Sequence, residues 1–553
     1  MSAKGQLTHV GIKRENVFGT PTVIDTGDAT AGSTVTKLED TTKAWAVDSL
    51  IGYYVRITAG TGIGQLRKIT DNDATTCTVA TWTAPDATSD YEISLDALFG
   101  VADYLKFNSE SISPAIEEIV SAQLDGRRDE PPSYKGLITL AGDTVHEVHP
   151  NCLGHLLRSW FGAPTTTQPS LKISDTTASA TDTTIVGVTA GWTINEYTGF
   201  YVKITGGTGS ATAAIGQVRV IVSNTIDTLT VAAWSATPDA TSTFEIYQYP
   251  VYLHKFTPTN TPFSAKCDPY PYTLELEKDI GAGKAFRVKG SCVNSLAFSY
   301  GVGAKILALT ASWLAKTYAQ ITKTTASLET TEPWRWNQTV LGIGLHDTGT
   351  ATAGAATSIT DAGATWIITG TGLIGYYVRI TGGLGEGQIR AITANTATAL
   401  TVATWGTTPD NTSTYEIYAF NKEIDTLAMT LENGLVAKPV LDGTYFIDRI
   451  IGDAFRSGTI APTFKLDNTT QFDLFTGWTS AVWRVSFIGA VIATGGKWNY
   501  ELTFEFPKVL YTAFPIAIGG PGEIMAGASG KLKYDATAAH MCRVYLTNGK
   551  SDY

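Results

Sequence analysis

The chain has 553 residues, 43% of them hydrophobic and only 16% charged, with 40 Lys and Arg against 51 Asp and Glu for a formal net charge of −11. That length holds several domains, and the apolar content excludes a disordered chain. The acidic balance excludes nonspecific adhesion to nucleic acid, because gripping phosphates needs clustered Lys and Arg.

Charge lies below the roughly 25% of an average soluble domain, and Thr, Gly and Ala take its place. Short Thr, Val, Ile and Tyr runs between Gly, Asn and Asp turns predict an all-β protein. Met1 to Thr20 has no signal-peptide pattern, and no apolar run approaches the roughly 18 to 20 residues of a membrane span. A cytosol-like setting without membrane insertion is expected. The five cysteines, Cys77, Cys152, Cys267, Cys292 and Cys542, are odd in number and scattered. They are expected as small buried apolar residues without a disulfide framework.

After an N-terminal segment, 1–25, one phrase begins that the chain writes three times. It reads Ile51-Gly-Tyr-Tyr-Val-Arg-Ile-Thr58 with Gln65 and Trp82. It returns as Gly199-Phe-Tyr-Val-Lys-Ile-Thr205 with Gln217 and Trp234, and as Ile374-Gly-Tyr-Tyr-Val-Arg-Ile-Thr381 with Gln388 and Trp405. The Gln-to-Trp spacing is the same each time, and each copy closes on a Pro-Asp-x-Thr-Ser phrase, at Pro85, Pro238 and Pro409. The units, 26–95, 172–248 and 345–419, lie too far apart to stack as a solenoid and are read as insertions into a host fold. Alternation within the phrase predicts strands, and each unit is expected to be a small β-sandwich or barrel of about five to seven strands. The string Gly60-Thr-Gly62-Ile-Gly64 is followed by another strand pattern, so it is a hairpin and not a phosphate loop, which must open a helix. The Trp residues could form a sugar-binding platform; filling each unit's core is the favoured reading.

The host stretches are 96–171 and 249–344, assigned to a first half, and 420–553, assigned to a second half. They show one order of elements twice. An extended segment comes first, Tyr104 to Glu110 and Thr426 to Glu432. A long loop follows, Asp125 to Pro132 and Asp442 to Arg449. A strand then leads to a short helix, His149 to Trp160 and Asn468 to Trp478, and each half ends with a hairpin around a glycine-lysine turn, at Lys284 and Lys497. Trp498, Tyr500, Leu502, Phe504 and Phe506 alternate with Asn499, Glu501, Thr503 and Glu505, and Leu274 and Leu276 with Glu275 and Glu277. One packed face and one wet acidic face are expected on each such strand.

The opening Val10-Gly-Ile-Lys-Arg-Glu-Asn-Val-Phe-Gly-Thr-Pro21 and the close, Gly519-Gly-Pro-Gly-Glu-Ile-Met-Ala526 to Lys531-Leu-Lys-Tyr-Asp535 and Cys542-Arg-Val-Tyr-Leu-Thr-Asn548, resemble the major tail tube proteins of long-tailed, siphovirus-type bacteriophages. So does the loop around Arg127 and Arg128. The resemblance covers the host residues and implies a structural virion protein of the tail, assembled in the host cytoplasm. It further implies β-sandwich or barrel halves, each with a flanking helix and a long loop reaching the next ring, stacked into a tube around a lumen for genome passage. Other tail proteins would meet the tube ends, and DNA would pass without specific binding. Six tube-fold units per ring are usual in the family, so a duplicated chain implies three subunits per ring; without the duplication, six. Glu275, Glu277, Glu501 and Glu505 are then expected to face the lumen and repel phosphates over about 8 Å. Arg127, Arg128 and Arg449 are expected at ring-to-ring contacts. The units inserted near 26, 172 and 345 would decorate the outer surface.

No catalytic, cofactor or metal site is expected. His146, His149, Cys152 and His155 recur at intervals of three and could not all converge on one ion. There is no Gly-x-Ser-x-Gly elbow, phosphate loop or His-Glu-x-x-His helix. Glu117-Glu118 and Asp129-Glu130 are read as solvated loop charge. A carbohydrate-binding adhesin, or another decoration protein of the particle, is the alternative; a polysaccharide-degrading enzyme would need an export signal and a paired-acid cleft.

Overall fold

In the computed structural model the residues described are 9–553, apart from 16–17, 19–22, 52, 64, 95–103, 123–128, 170, 190, 211–216, 248–250, 269, 279–283, 324–325, 493–496 and 519–520. The chain is all-β, with two short α-helices among the described residues, α1 (Leu153–Phe161) and α2 (Thr470–Thr476). Both expected helices are present and shorter than their sequence signals. Pro150 delays the first, and Gly477 closes the second.

The host strands form three layers from one hydrogen-bonded network. One layer, termed the open sheet, runs through both halves. Its order is Ser133–Glu147, Ala308–Ala315, the C-terminal part of Lys284–Gly301, Ile424–Glu432, Ser457–Lys465, Ser529–Leu532 and the C-terminal part of Asn499–Ala513. A first backing sheet joins Val10–Arg14, Tyr272–Leu276, the N-terminal part of Lys284–Gly301 and Thr317–Thr322. A second joins Thr339–Ile343, Ala481–Val491, the N-terminal part of Asn499–Ala513, Arg543–Asn548 and Tyr252–Phe256.

Lys284–Gly301 and Asn499–Ala513 therefore each serve two sheets. The first bends at Gly290, whose φ of +63° suits glycine and whose absent Cβ leaves room for Phe18 and Lys316. The second passes through Pro507, which has no N–H to give either ladder. It was expected to end at Phe506 and continues to Ala513.

Between open and backing sheets lies the main core. Leu309, Trp313, Leu296, Phe298, Leu427, Met429, Ile460 and Phe464 from the open sheet meet Ile12, Leu274, Val288, Trp483, Val485, Leu502, Phe504 and the apolar face of α1. Phe298 crosses Phe504 edge to face at 4.9 Å between centroids.

The repeated phrase builds three small β units, each with its own core. Their strand orders agree: the phrase strand, Tyr54–Ile57, Tyr201–Gly206 or Tyr376–Gly382, lies between the Gln-side strand and the strand of the closing phrase. In the second unit the long strand Leu171–Thr181 pairs at both ends and closes a barrel.

The fixed Gln-to-Trp spacing has a physical cause. The Gln388 carboxamide donates to the Gly385 and Thr407 carbonyls at 3.1 and 2.7 Å and accepts from the Gly406 and Thr407 amides. Gln65 and Gln217 make the corresponding bonds. One side chain thus pins the hairpin before it to the loop just after the Trp. Trp82, Trp234 and Trp405 are buried, as core filling requires. Replacing fully buried Gln388 by Ala orphans several backbone groups, each worth about 1–3 kcal/mol. A Gln388→Ala chain should unfold at a lower urea concentration with its third unit melting first, as read by hydrogen exchange of residues 376–419.

Candidate functional site

Alternation along the open sheet sends one set of side chains into the core and leaves the other on a broad outward face. Rows of directly opposed residues cross it. Asp143, Ser312, Ser295, Glu432 and Ser457 form one row. Val145, Thr310, Ala297, Thr430, Thr459 and Lys531 form the next, and Glu147, Ala308, Ser299, Ala428 and Ala461 a third. All are half-buried or exposed. The face is almost wholly Ser, Thr and Ala, with three carboxylates and one ammonium. Ser295 Oγ donates to Glu432 Oε1 at 2.9 Å, and Thr426 to Thr463 at 2.8 Å, so many hydroxyls are satisfied within the sheet. Such a surface offers few free donors and little positive charge. Sequence reasoning missed it, although the Thr and Ala excess was its signal.

The structure corrects the wet acidic faces expected on the backing strands. Glu275 and Glu501 are 0% and 2% exposed, Glu277 is buried, and Glu505 is nearly so. The alternation was right, but a β unit covers the second face of each sheet. A side chain enclosed within its own chain lines no lumen, so the lumen-facing assignment of these four residues falls.

Two charge clusters fill those contacts, built to one plan. In the third unit Arg379 lies directly across from Glu416; in the second backing sheet Arg484 lies directly across from Glu505. Glu416 takes a bidentate pair from Arg484 at 2.9 Å for both bonds and a further bond from Arg379 at 3.0 Å. Arg379 also stacks on the Tyr545 ring at 4.1 Å. In the first unit Arg56 opposes Glu92, while in the first backing sheet Arg287 opposes Glu275. Arg287 reaches Glu92 at 3.4 Å, and His9 reaches Glu275 at 3.1 Å. Glu277 pairs with Lys323 at 2.8 Å. In the second unit the equivalent pair is Lys203 and Glu245, both half-buried, and among the described residues it makes no ion pair to the host.

Burial sets the protonation of the third-unit cluster against its partners. Desolvation alone would raise the Glu416 pKa, but Arg484 and Arg379 hold it below the ordinary carboxylate value. Glu505 is lowered in the same way, against burial, by Arg484 and Arg379. Glu501 goes the other way: burial pushes it up to about 8, since Arg390, 3.6 Å distant, offsets only part of the desolvation.

The remaining sequence candidates separate. Arg127 and Arg128 lie outside the described residues. Arg449 is half-exposed on the short ribbon of Leu435–Lys438 and Arg449–Gly452, with its Nε 3.5 Å from Asp448. Glu117 and Glu118 lie on a strand, Ser113–Val120, instead of a loop.

His146 bonds the Lys106 carbonyl and the Thr144 hydroxyl at 2.8 Å each, and burial pushes it down to about 4. His149 bonds the Thr331 carbonyl, and His155 packs edge-on against Tyr272 and Tyr553. Cys152 Sγ lies 3.8 Å from the Tyr104 carbonyl. Among the described residues no group of three or more His, Cys, Asp or Glu could hold a metal ion. No described helix is long and apolar enough to cross a membrane. Cys267 and Cys292, distant in sequence, sit with Sγ atoms 3.1 Å apart in a small buried core.

The family model described as phage tail tube protein matches residues 5–360, more than half of the chain. The chain belongs to the phage tail tube protein family. It is a structural component of the virion tail, assembling into a tube with other tail proteins. No curated protein matches it.

Removing one member of a buried ion cluster leaves the others uncompensated, at about 3–5 kcal/mol. Glu416→Gln should cost that much by chemical denaturation, and Glu416→Gln combined with Arg379→Met less than the sum of the singles. For Glu501 the folded pKa exceeds the ordinary value of 4.5, so its contribution is fully present below about pH 4.5 and is lost as pH rises through about 8. Glu501→Gln should therefore gain melting temperature over the parent at about pH 8 and little at about pH 4.5. A loss at pH 8 would mean that Glu501 is ionised and paired with Arg390.

Proposed function

We propose that three copies of this chain close a ring, and that rings stack into the tail tube of a long-tailed, siphovirus-type phage. The open sheet faces the lumen and the β units face outward. The observation that carries this reading is the order of layers: open face, core, backing sheet, charge cluster, β unit. A wall built in that order has a smooth side and a decorated side.

DNA passing over the open face meets hydroxyls and methyls already satisfied or inert, so no phosphate is gripped. Asp143, Glu147 and Glu432 supply the repulsion first sought on the backing strands, felt over about 8 Å at physiological salt. The bidentate rule for specific base contacts finds no Arg there to use.

Stacking falls to the hairpin of Ser113–Val120 with Ser133–Glu147. Every residue of Ser113–Val120 is exposed, and Ile116, Ile119, Val120 and Tyr134 lie on it uncovered. A hairpin of that composition standing in water calls for an apolar partner, and the neighbouring ring is the partner assigned. Arg127 and Arg128, between its strands in sequence, and Arg449 are assigned to the same ring-to-ring contact. The chain assembles in the host cytoplasm, and the β units decorate the finished tail.

Negative-stain microscopy of concentrated protein should show rings or hollow tubes; persistent monomers would overturn the reading. Each isoleucine buried at a stacking contact contributes about 1.5–3 kcal/mol. Ile116→Asp with Ile119→Asp should raise the critical concentration for tube pelleting by about tenfold or more, with circular dichroism and monomer melting unchanged.

A further inference from the structure

Two of the five cysteines meet. Cys267 and Cys292 are both fully buried, and their Sγ atoms lie 3.1 Å apart, about 1 Å more than the roughly 2.05 Å of an S–S bond. Cys77 lies in the core of the first β unit, and Cys152 and Cys542 lie in the main core. The pair's own core is small and separate, built with Phe18, Leu435, Ile447 and Ile450. In such a place one cysteine would serve as a small apolar group as well as two. Two sulfurs in contact add a reaction that one cannot undergo.

Their places in the chain decide what a bond between them would hold. Cys292 lies just past the Gly290 bend of Lys284–Gly301, on the strand that serves both the open sheet and the first backing sheet. Cys267 lies in the connection between Tyr252–Phe256 and Tyr272–Leu276, and this connection carries the ribbon of Leu435–Lys438 and Arg449–Gly452. The Ile450 amide donates to the Lys266 carbonyl at 2.9 Å, the Asp268 amide donates to the Ile450 carbonyl at 3.0 Å, and Lys266 pairs with Asp448. From the ribbon's loop the contacts run on to the hairpin, where the Ile138 amide donates to the Tyr445 carbonyl at 2.7 Å. The cysteines thus sit beneath both elements assigned to the ring-to-ring contact.

We infer that Cys267 and Cys292 are a cross-link site, closed by a peroxide-class oxidant once the finished tail leaves the reducing cytoplasm, and that the bond latches the ribbon and the hairpin to the junction of the two sheets. The bond rests on the geometry of the pair; its place at the ring contact rests on the tube reading. One sulfur, as thiolate, attacks a peroxide oxygen, the O–O bond breaks, and a sulfenic acid and hydroxide result. The second sulfur attacks the sulfenic sulfur, the S–O bond breaks, and the departing oxygen leaves as water. Two thiols and one hydrogen peroxide become one disulfide and two waters, the sulfurs giving up the two electrons that the peroxide takes. Timing follows from environment. Burial, and after it the neighbouring Cys267 thiol, holds the Cys292 thiol well above its ordinary range, so the pair is inert where thiols are kept reduced. A released virion meets oxidising conditions, and a small oxidant enters when the ribbon opens locally.

The test uses the full chain, purified under reducing conditions, treated with hydrogen peroxide while folded, quenched and then unfolded for thiol counting. The expected result is that the five thiols of the reduced chain fall to three, that the intact mass drops by two hydrogens, and that non-reducing peptide mapping joins Cys267 to Cys292. Cys267→Ser and Cys292→Ser chains should each lack that mass loss and that peptide; the parent chain gives the answer even where a variant fails to fold. Hydrogen exchange of residues 435–452 and 133–141 should slow by about tenfold or more in the oxidised chain and recover on reduction. Thiols that survive peroxide, or a bond joining any other two cysteines, overturn the site. A Cys267–Cys292 bond that leaves exchange of the ribbon unchanged overturns the latch. Failure of the reduced chain to form tubes by microscopy overturns the tube reading and the placement at a ring contact, while the linked peptide still establishes the cross-link.

Discussion

A charge taken out of water must meet an opposite charge and satisfied hydrogen bonds, or the fold that buries it fails. Here opposite charges are buried against each other twice, where Arg56 and Glu92 lie over Arg287 and Glu275, and where Arg379 and Glu416 lie over Arg484 and Glu505. Each cluster is two cross-strand pairs laid face to face, one from a β unit and one from the host. The first and third β units meet the backing sheets through these contacts, with Lys255 and Glu386 adding a bond at 2.7 Å beside the second cluster. Buried ion pairs of this sort stabilise little against an apolar replacement, but they tolerate no misplacement. Their effect is to set orientation, since an Arg can meet two carboxylates in only one docking of the sheets.

The same constraint explains why the open and backing sides of the host sheets differ in chemistry. The backing faces can hold charge because a β unit arrives to neutralise it. Among the described residues nothing covers the open face, and it is built from residues that need no cover. Ser, Thr and Ala suit a pleated surface in water, the hydroxyls bonding along the sheet. The contrast between a charged, covered side and a neutral, bare side supports a radial direction for the molecule.

Much of the fold could be read from the sequence, because strand alternation and glycine turns are local signals. Leu502, Phe504 and Phe506 sit in the core as their spacing requires, and the three repeated phrases fold alike. What escaped was the environment of the second face. Glu501 and Glu505 read as solvated because their partners Arg390 and Arg379 lie more than about a hundred residues earlier, beyond any periodicity. A trace was present: Arg56 and Arg379 recur within otherwise β-branched and aromatic strands, each matched by a Glu in the closing phrase, and the second copy breaks the pattern with Lys203. The open face escaped for another reason. Its residues are individually unremarkable, and only the pairing of strands from 133 to 531 gathers them into a surface. The strand through Pro507 runs on where a proline ordinarily ends a central strand, because here the proline marks the passage from one sheet to the next.

Asn499–Ala513 grips a β unit at one end, through Glu501 and Glu505, and at the other end presents Leu510 at a free edge of the open sheet. Five residues of extended backbone separate Glu505 from Leu510, about 17 Å of nearly inextensible chain. A pull on the β unit would therefore reach the open sheet along covalent bonds, without having to cross the packed core. The strand acts as a tie rod, so the seating of the β unit and the position of the open sheet's edge are mechanically one variable.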